Sequence, residues 1–231
     1  MAGRWITKNG RKIFIEDSRG SRKAGPVVAA AATVTLMGAA SVGTTGGTLF
    51  GGGQVVTGAG NQAVARVIQT RLPNARKAAR NGQRTTAWKE LRVTQRHKKR
   101  SRRHTNCARH SFGQVRTFFQ TTPCQSLRRQ LFSVRDEHGN DVAVSIAWVR
   151  MRDAAEVWDL RQVFDEHGSG DFHPAWSPFP ELSAVSFTAE YYGSEPHGRV
   201  LTIAEAEPLS GSPDPALLHA VADIAAHLPS P

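Results

Sequence analysis

The chain has 231 residues, with 30 Lys+Arg against 19 Asp+Glu and a net charge of +11. The charge is divided: residues 1–105 hold 21 of the basic residues and only Glu16, Asp17 and Glu90 as acids, whereas residues 106–231 hold nine Arg, no Lys and 16 acids. This argues against an evenly charged globule and for a polycationic arm joined to an acidic folded domain, the asymmetry of an interaction tail. The two cysteines, Cys107 and Cys124, lack zinc-site or Cys-x-x-Cys spacing, and no catalytic signature occurs.

Residues 1–17 read as a short hairpin arm. Two β-rich runs, Arg4–Lys8 and Arg11–Glu16, flank Asn9-Gly10, the strongest short hairpin signal.

Residues 24–65 carry no charged residue. The stretch from Pro26 to about residue 45 is as long as the ~20 residues needed for a bilayer-spanning helix. Small residues recur every four positions at Ala39, Gly43, Gly47 and Gly51, a spacing that brings membrane helices close together. Seven basic residues precede the tract, as before a signal-anchor. A transmembrane segment is therefore expected. A soluble Gly-rich linker is the alternative reading, and a mis-assigned start is the third.

Residues 66–105 form the polycation, with 14 Lys+Arg against Glu90. A run this dense repels itself and is expected to stay solvated as a disordered basic linker, with some helix between Asn74 and Gly82. Its densest part nominates Arg96, Lys98, Lys99, Arg100, Arg102 and Arg103 as anion-binding residues. The partners expected are anionic lipid, a cell-wall polymer or nucleic acid.

Residues 106–231 carry the fold. Phe112, Val115, Phe118 and Phe119 share one face of a helix over 111–120, which Pro123 stops. Leu127–Arg135 and Asp141–Arg150 alternate as two strands of a hairpin about the turn 136–140. Asp153 with Glu156 opens a helix whose apolar face is Val157, Leu160, Val163 and Phe164. A second hairpin is expected from strands at 183–192 and 199–208, with its turn at Gly193–Gly198. A last helix over 215–228 turns Leu217, Leu218, Val221, Ile224 and Ala225 inward behind Asp214. The order helix, strand, strand, helix, strand, strand, helix predicts an α+β domain. Its sheet has four strands, is mainly antiparallel, and is covered by helices on one face.

Cys107 and Cys124 bracket the first helix of this domain. Three helical turns rise ~15 Å, whereas a disulfide needs α-carbons within ~7 Å. The bond is thus expected only if Thr121-Thr-Pro123 folds back. In an envelope protein the pair reads as a disulfide, and in the cytosol as two buried thiols.

The run Cys107-Ala-Arg-His-Ser-Phe-Gly-Gln-Val-Arg-Thr-Phe-Phe119, followed by Pro123-Cys124, Leu127, Leu131-Phe132 and Val144-Ser-Ile-Ala-Trp-Val149, resembles a family of actinobacterial proteins of unknown function. The resemblance covers roughly residues 106–210. Proteins of that family place such a domain after a variable, often basic or membrane-associated N-terminal region. It implies a high-GC Gram-positive source and an envelope location, and it implies no activity.

Other constellations read as structure. His167 and His173 flank Gly168-Ser-Gly170 without a ligand spacing that fixes both rings on one face. Glu205 and Glu207 read as the solvated face of a half-buried sheet, and Phe172, Trp176 and Phe179 as aromatics over a core edge. No cofactor or metal is expected. The sequence thus suggests a non-enzymatic membrane or envelope protein whose cationic segment engages anionic surfaces. The alternative is a cytoplasmic, nucleic-acid-associated protein binding phosphates through residues 66–104, with a protein partner for the acidic domain.

Overall fold

The computed structural model describes the backbone of residues 3–8, 11–16, 59–96 and 103–231, and the side chains of residues 63–96 and 103–231. The chain divides into two compact units, Met1–Gly52 and Gly53–Pro231. In the first, β1 (Gly3–Lys8) and β2 (Arg11–Glu16) pair antiparallel, with Trp5 opposite Phe14, Ile6 opposite Ile13 and Lys8 opposite Arg11. Asn9-Gly10 therefore joins the strands, as its sequence predicts.

The second unit is an α+β domain that begins well before residue 106. Helix α1 (Ala59–Arg80) and helix α2 (Arg84–Glu90) lead into β3 (Val93–Arg96). Then come β4 (Arg103–His104), a 3-10 turn (Ala108–His110), α3 (Gly113–Thr121), β5 (Ser126–Asp136) and β6 (Asp141–Arg150). Helices α4 (Ala154–Phe164) and α5 (Pro180–Ser183), strands β7 (Tyr192–His197) and β8 (Val200–Ser210), and helix α6 (Pro215–Ala226) complete it. All strand pairs are antiparallel, in the order β3-β5-β6-β8-β7, with β4 also on β5.

Four expectations are corrected. The sheet has six strands rather than four, because β3 and β4 come from the basic segment. That segment is not a solvated linker over the described residues. Ile68, Leu72, Ala75 and Ala79 recur at helical spacing and are buried, and Trp88, Leu91 and Val93 join the same core. Apolar burial along one face outweighs the charges because the arginines project from the other. Gly82, at φ +73°, closes α1: its own N–H donates to Ala79 O and the next, Gln83 N–H, to Ala78 O.

The second hairpin also differs from the expected one. Of residues 193–198, read as a turn, 193–197 belong to β7 and only Gly198 lies in the turn, and Tyr192 pairs with Glu205 in register. The Pro196 that argued for a turn is tolerated because β7 is an edge strand. Gly193 is needed there, since a Cβ would lie 2.8 Å from the carbonyl oxygen of Ala222 on α6.

The transmembrane expectation is the fourth. Among the described residues, no helix is long and apolar enough to cross a membrane. The longest, α1, carries Arg66, Arg71, Arg76, Lys77 and Arg80. The tract over 26–45 lies outside the described residues.

The sheet is covered on both faces. Phe132, Val134, Val142, Val144, Ile146, Trp148, Ala204 and Ala206 face α1, α2 and α6. Leu127, Ala147, Val149, Leu201 and Ile203 face α3 and α4. Helices α4 and α6 start as read: Asp153 accepts from Glu156 N–H and Asp214 from Ala216 N–H. Glu156 reaches back to Arg152 N–H rather than to that of Asp153.

Cys107 and Cys124 are bonded, with α-carbons 6.1 Å apart. The bond forms because the helix between them is short and Pro123 returns the chain to the sheet. It ties the segment after β4 to the start of β5. The C107S/C124S double variant should lose roughly 3 kcal/mol, the loop-entropy term for a loop of about this length. Urea melts check this, and an unchanged midpoint would show that the link adds nothing to the fold.

Candidate anion-binding site

Two of the six nominated cations, Arg96 and Arg103, are among the described residues. Arg96 ends β3 opposite Ser133, and Arg103 begins β4 opposite Arg128, so both ends of the basic run sit along β5. Both arginines are exposed. Lys98, Lys99, Arg100 and Arg102 lie outside the described residues.

Many of the earlier cations are already engaged within the fold. Arg76 makes a two-pronged ion pair with Asp223 at 2.8 and 3.0 Å. Arg80 pairs with Glu195 at 3.1 Å and Arg92 with Glu137 at 3.0 Å. Arg84 donates to Gln130 Oε1 and Pro229 O and lies 5.7 Å from the Trp148 ring centroid. Burial alone lowers its pKa from the usual arginine value. Several cations of the sequence's polycation are thus tied into the fold by ion pairs or hydrogen bonds.

Beside Arg103 the sheet opens into a polar cleft of about 320 Å³, lined by Arg103, Ser126, Arg128, Trp148 and Arg150 and closed by Val200, Ser230 and Pro231. Register explains the convergence. Arg103 faces Arg128, Arg128 faces Trp148, and Ser126 faces Arg150 on adjacent strands. Alternate residues share a face, so Ser126 and Arg128 of β5 stand on the same side as Trp148 and Arg150 of β6. This is the face covered by α1, α2 and α6, at its uncovered end. Trp148 is the floor: it is 3% exposed, and its Nε1 donates to Leu228 O at 2.7 Å. Among the described residues, none of Arg103, Arg128 and Arg150 forms an ion pair with a carboxylate. Three guanidiniums outside the ion pairs of the described residues create a field that attracts anions.

Arg128 and Arg150 were not singled out from the sequence. The only signal was their place at the ends of two paired strands, and it required the hairpin register to be known.

On the opposite face, Arg129 donates to His110 Nδ1 at 3.1 Å and to the carbonyls of His173 and Pro174. His110 Nε2 meets His104 Nδ1 at 3.0 Å. Burial, then the charge of Arg129, pushes the His110 pKa down to about 4. His110 is therefore neutral at pH 7, accepts from Arg129 and donates to His104. Among the described residues, no group of His, Cys, Asp and Glu is arranged to hold a metal ion.

The glutamates read as a solvated face are instead buried, Glu205 to 4% and Glu207 to 8%. Glu207 accepts from Thr188 N–H and Oγ1–H, and Glu205 from Ala189 N–H. Burial, then a hydrogen bond to Asp171, pushes the Glu205 carboxyl up to about 10. Burial likewise raises Asp171. The two carboxyls share a hydrogen bond within the fold, with Glu205 holding the proton. Of the aromatic loop, Phe172 is core and Trp176 is 70% exposed. Gly113 and Gly170, both at positive φ, pack backbone to backbone, where a Cβ on Gly170 would lie 2.3 Å from Phe112 O.

A larger depression of about 580 Å³ is lined by Val64, Val67 and Leu217 among others. Much of its charged rim is engaged: Arg92 pairs with Glu137, Asp136 closes the β5–β6 turn and Asp214 caps α6. The basic cleft is the stronger candidate because its three arginines form no ion pair with a side-chain carboxylate among the described residues. No protein-family model, curated protein or solved structure matches this chain.

Proposed function

We propose that this protein is a nucleic-acid-associated binding protein that grips phosphates through the basic segment 96–103, whose ends, Arg96 and Arg103, pair with β5. The observation that supports this most directly is the anchoring of Arg96 and Arg103, both exposed, at the two ends of Lys98, Lys99, Arg100 and Arg102 along one strand. A cationic run held at both ends on a rigid sheet loses less entropy on binding than a free arm of the same charge. Trp148 is buried, so the cleft beside it presents no ring for base stacking. The contacts are with the backbone and independent of sequence. Asp141 lies within the electrostatic reach of Arg96, which lowers its carboxyl pKa together with the stronger effects of Arg135 and Ser210.

Titration of duplex DNA against the full chain tests the reading. With about six phosphates contacted, the log–log salt slope should be near −5, at roughly −0.9 per phosphate. Replacing Lys98, Lys99, Arg100 and Arg102 by Gln should flatten it by roughly 3–4. A slope unchanged by that replacement would overturn the assignment. Tighter binding to phosphatidylserine vesicles than to DNA at matched salt would transfer the same edge to lipid.

A further inference from the structure

The cleft beside the basic edge differs in kind from the edge itself. It is a recess rather than a ridge, and its three arginines come from three strands, β4, β5 and β6. Two of them, Arg103 and Arg128, stand directly opposite each other on paired strands. Like charges so placed destabilise a sheet unless an anion lies between them. The recess also holds Ser126, 9% exposed, whose hydroxyl has no hydrogen-bond partner among the described residues. Five N–H donors per guanidinium and one hydroxyl match the oxygens of a tetrahedral oxyanion. The volume of about 320 Å³ lies at the small end of ligand pockets, enough for a phosphate with its attached sugar. A duplex backbone runs past an edge and does not enter a recess, whereas a strand end can.

We propose that this cleft is a pocket for a doubly charged phosphomonoester, the terminal phosphate of a nucleic-acid strand, held by Arg103, Arg128 and Arg150 with Ser126 as a further donor. Three cations favour the dianion of a terminal phosphate over the single charge of an internal diester. This rests on and deepens the reading of residues 96–103 as the nucleic-acid-binding segment, since Arg103 belongs to both that segment and the cleft.

The test uses the full chain and one oligonucleotide in three forms: 5′-phosphorylated, 3′-phosphorylated and unphosphorylated, titrated at matched salt, with inorganic phosphate and inorganic sulfate titrated alongside. At least one phosphorylated end should bind about tenfold more tightly than the unphosphorylated strand, and inorganic phosphate should raise the melting midpoint by about 3 °C. Arg128→Gln should abolish both effects. It should melt no lower than wild type without phosphate, since it relieves the opposition to Arg103, so a folding defect is separable from a binding one. Arg128→Lys, which keeps the charge and loses the fork, should retain only part of the preference.

The failures of the two readings are distinct. Equal binding of all three oligonucleotides with a steep salt slope would overturn the pocket and leave the edge standing. Phosphate binding lost in Arg128→Gln, together with no binding of the unphosphorylated strand, would support the pocket and overturn the edge. Equal midpoint shifts from phosphate and sulfate, without preference for a phosphorylated end, would also overturn the proposal.

Discussion

Trp148→Ala is expected to cost about 3–5 kcal/mol, the range for a buried aromatic reduced to a methyl group. Three losses combine. The indole is 3% exposed and packs on the face formed with Val142, Val144 and Ile146. Its N–H donates to Leu228 O, which fastens the residues after α6 across the sheet. It also lies under the guanidinium of Arg84, whose other contacts are Gln130 and Pro229 O. Loss of the ring would leave the Leu228 carbonyl without its partner and Arg84 over a cavity, so the effect should exceed the area term alone. Urea unfolding followed by far-UV circular dichroism measures it. A loss under 1 kcal/mol would show that this end of the sheet is not core. Trp148→Phe, which keeps the ring and removes the N–H, should recover most but not all of the stability, separating packing from the hydrogen bond.

The second large effect depends on pH. Glu205 holds its proton in the folded chain to about pH 10, against an ordinary value of 4.5, through burial and the neighbouring Asp171. The folded state therefore binds a proton that the unfolded state releases above pH 4.5. Stability from this group is fully present below about pH 4.5 and falls as pH rises towards 10, by up to ~1.36 kcal/mol per unit. Glu205→Gln is neutral in both states and keeps an oxygen for Ala189 N–H and a donor for Asp171. At pH 4 the variant and wild type should unfold alike. At pH 8 the variant should be more stable by roughly 2–4 kcal/mol. The difference between the two proteins is the informative quantity. Asp141 acts in the opposite sense: held low by Arg135, it loses stabilisation as pH falls. Parallel stability curves for wild type and Glu205→Gln from pH 4 to 9 would overturn the assignment.

Several elements were legible because their signals are local. The β5–β6 hairpin follows from strict alternation on either side of a turn, and α4 and α6 from capping residues ahead of apolar faces. The placement of Val142, Val144, Ile146 and Trp148 on one buried face needs nothing beyond the period of a strand. The hairpin β1–β2 follows from Asn9-Gly10 in the same way.

Other features exist only once distant segments meet. Helix α1 carries its packing in alanines at every third or fourth position, and their small apolar area is hidden in composition by the arginines beside them. Packing against α2 and, from more than a hundred residues away, against α6 turns that weak stripe into core. Residues 193–197 have the composition of a turn and become a strand because an edge position tolerates Pro196 and the backbone of α6 requires Gly193. Glu205 and Glu207 have the pattern of a wet face until the Thr188–Ala189 loop and, at Glu205, Asp171 cover them.

The anion cleft shows the same division. The sequence by itself determined that positive charge concentrates near residue 100 and that Arg128 and Arg150 sit on strands of known polarity. Only the tertiary structure decided which of those arginines stand together, because convergence depends on inter-strand register and on where the helices stop covering the sheet. Both are set by packing between segments far apart in the chain, and no local pattern encodes them.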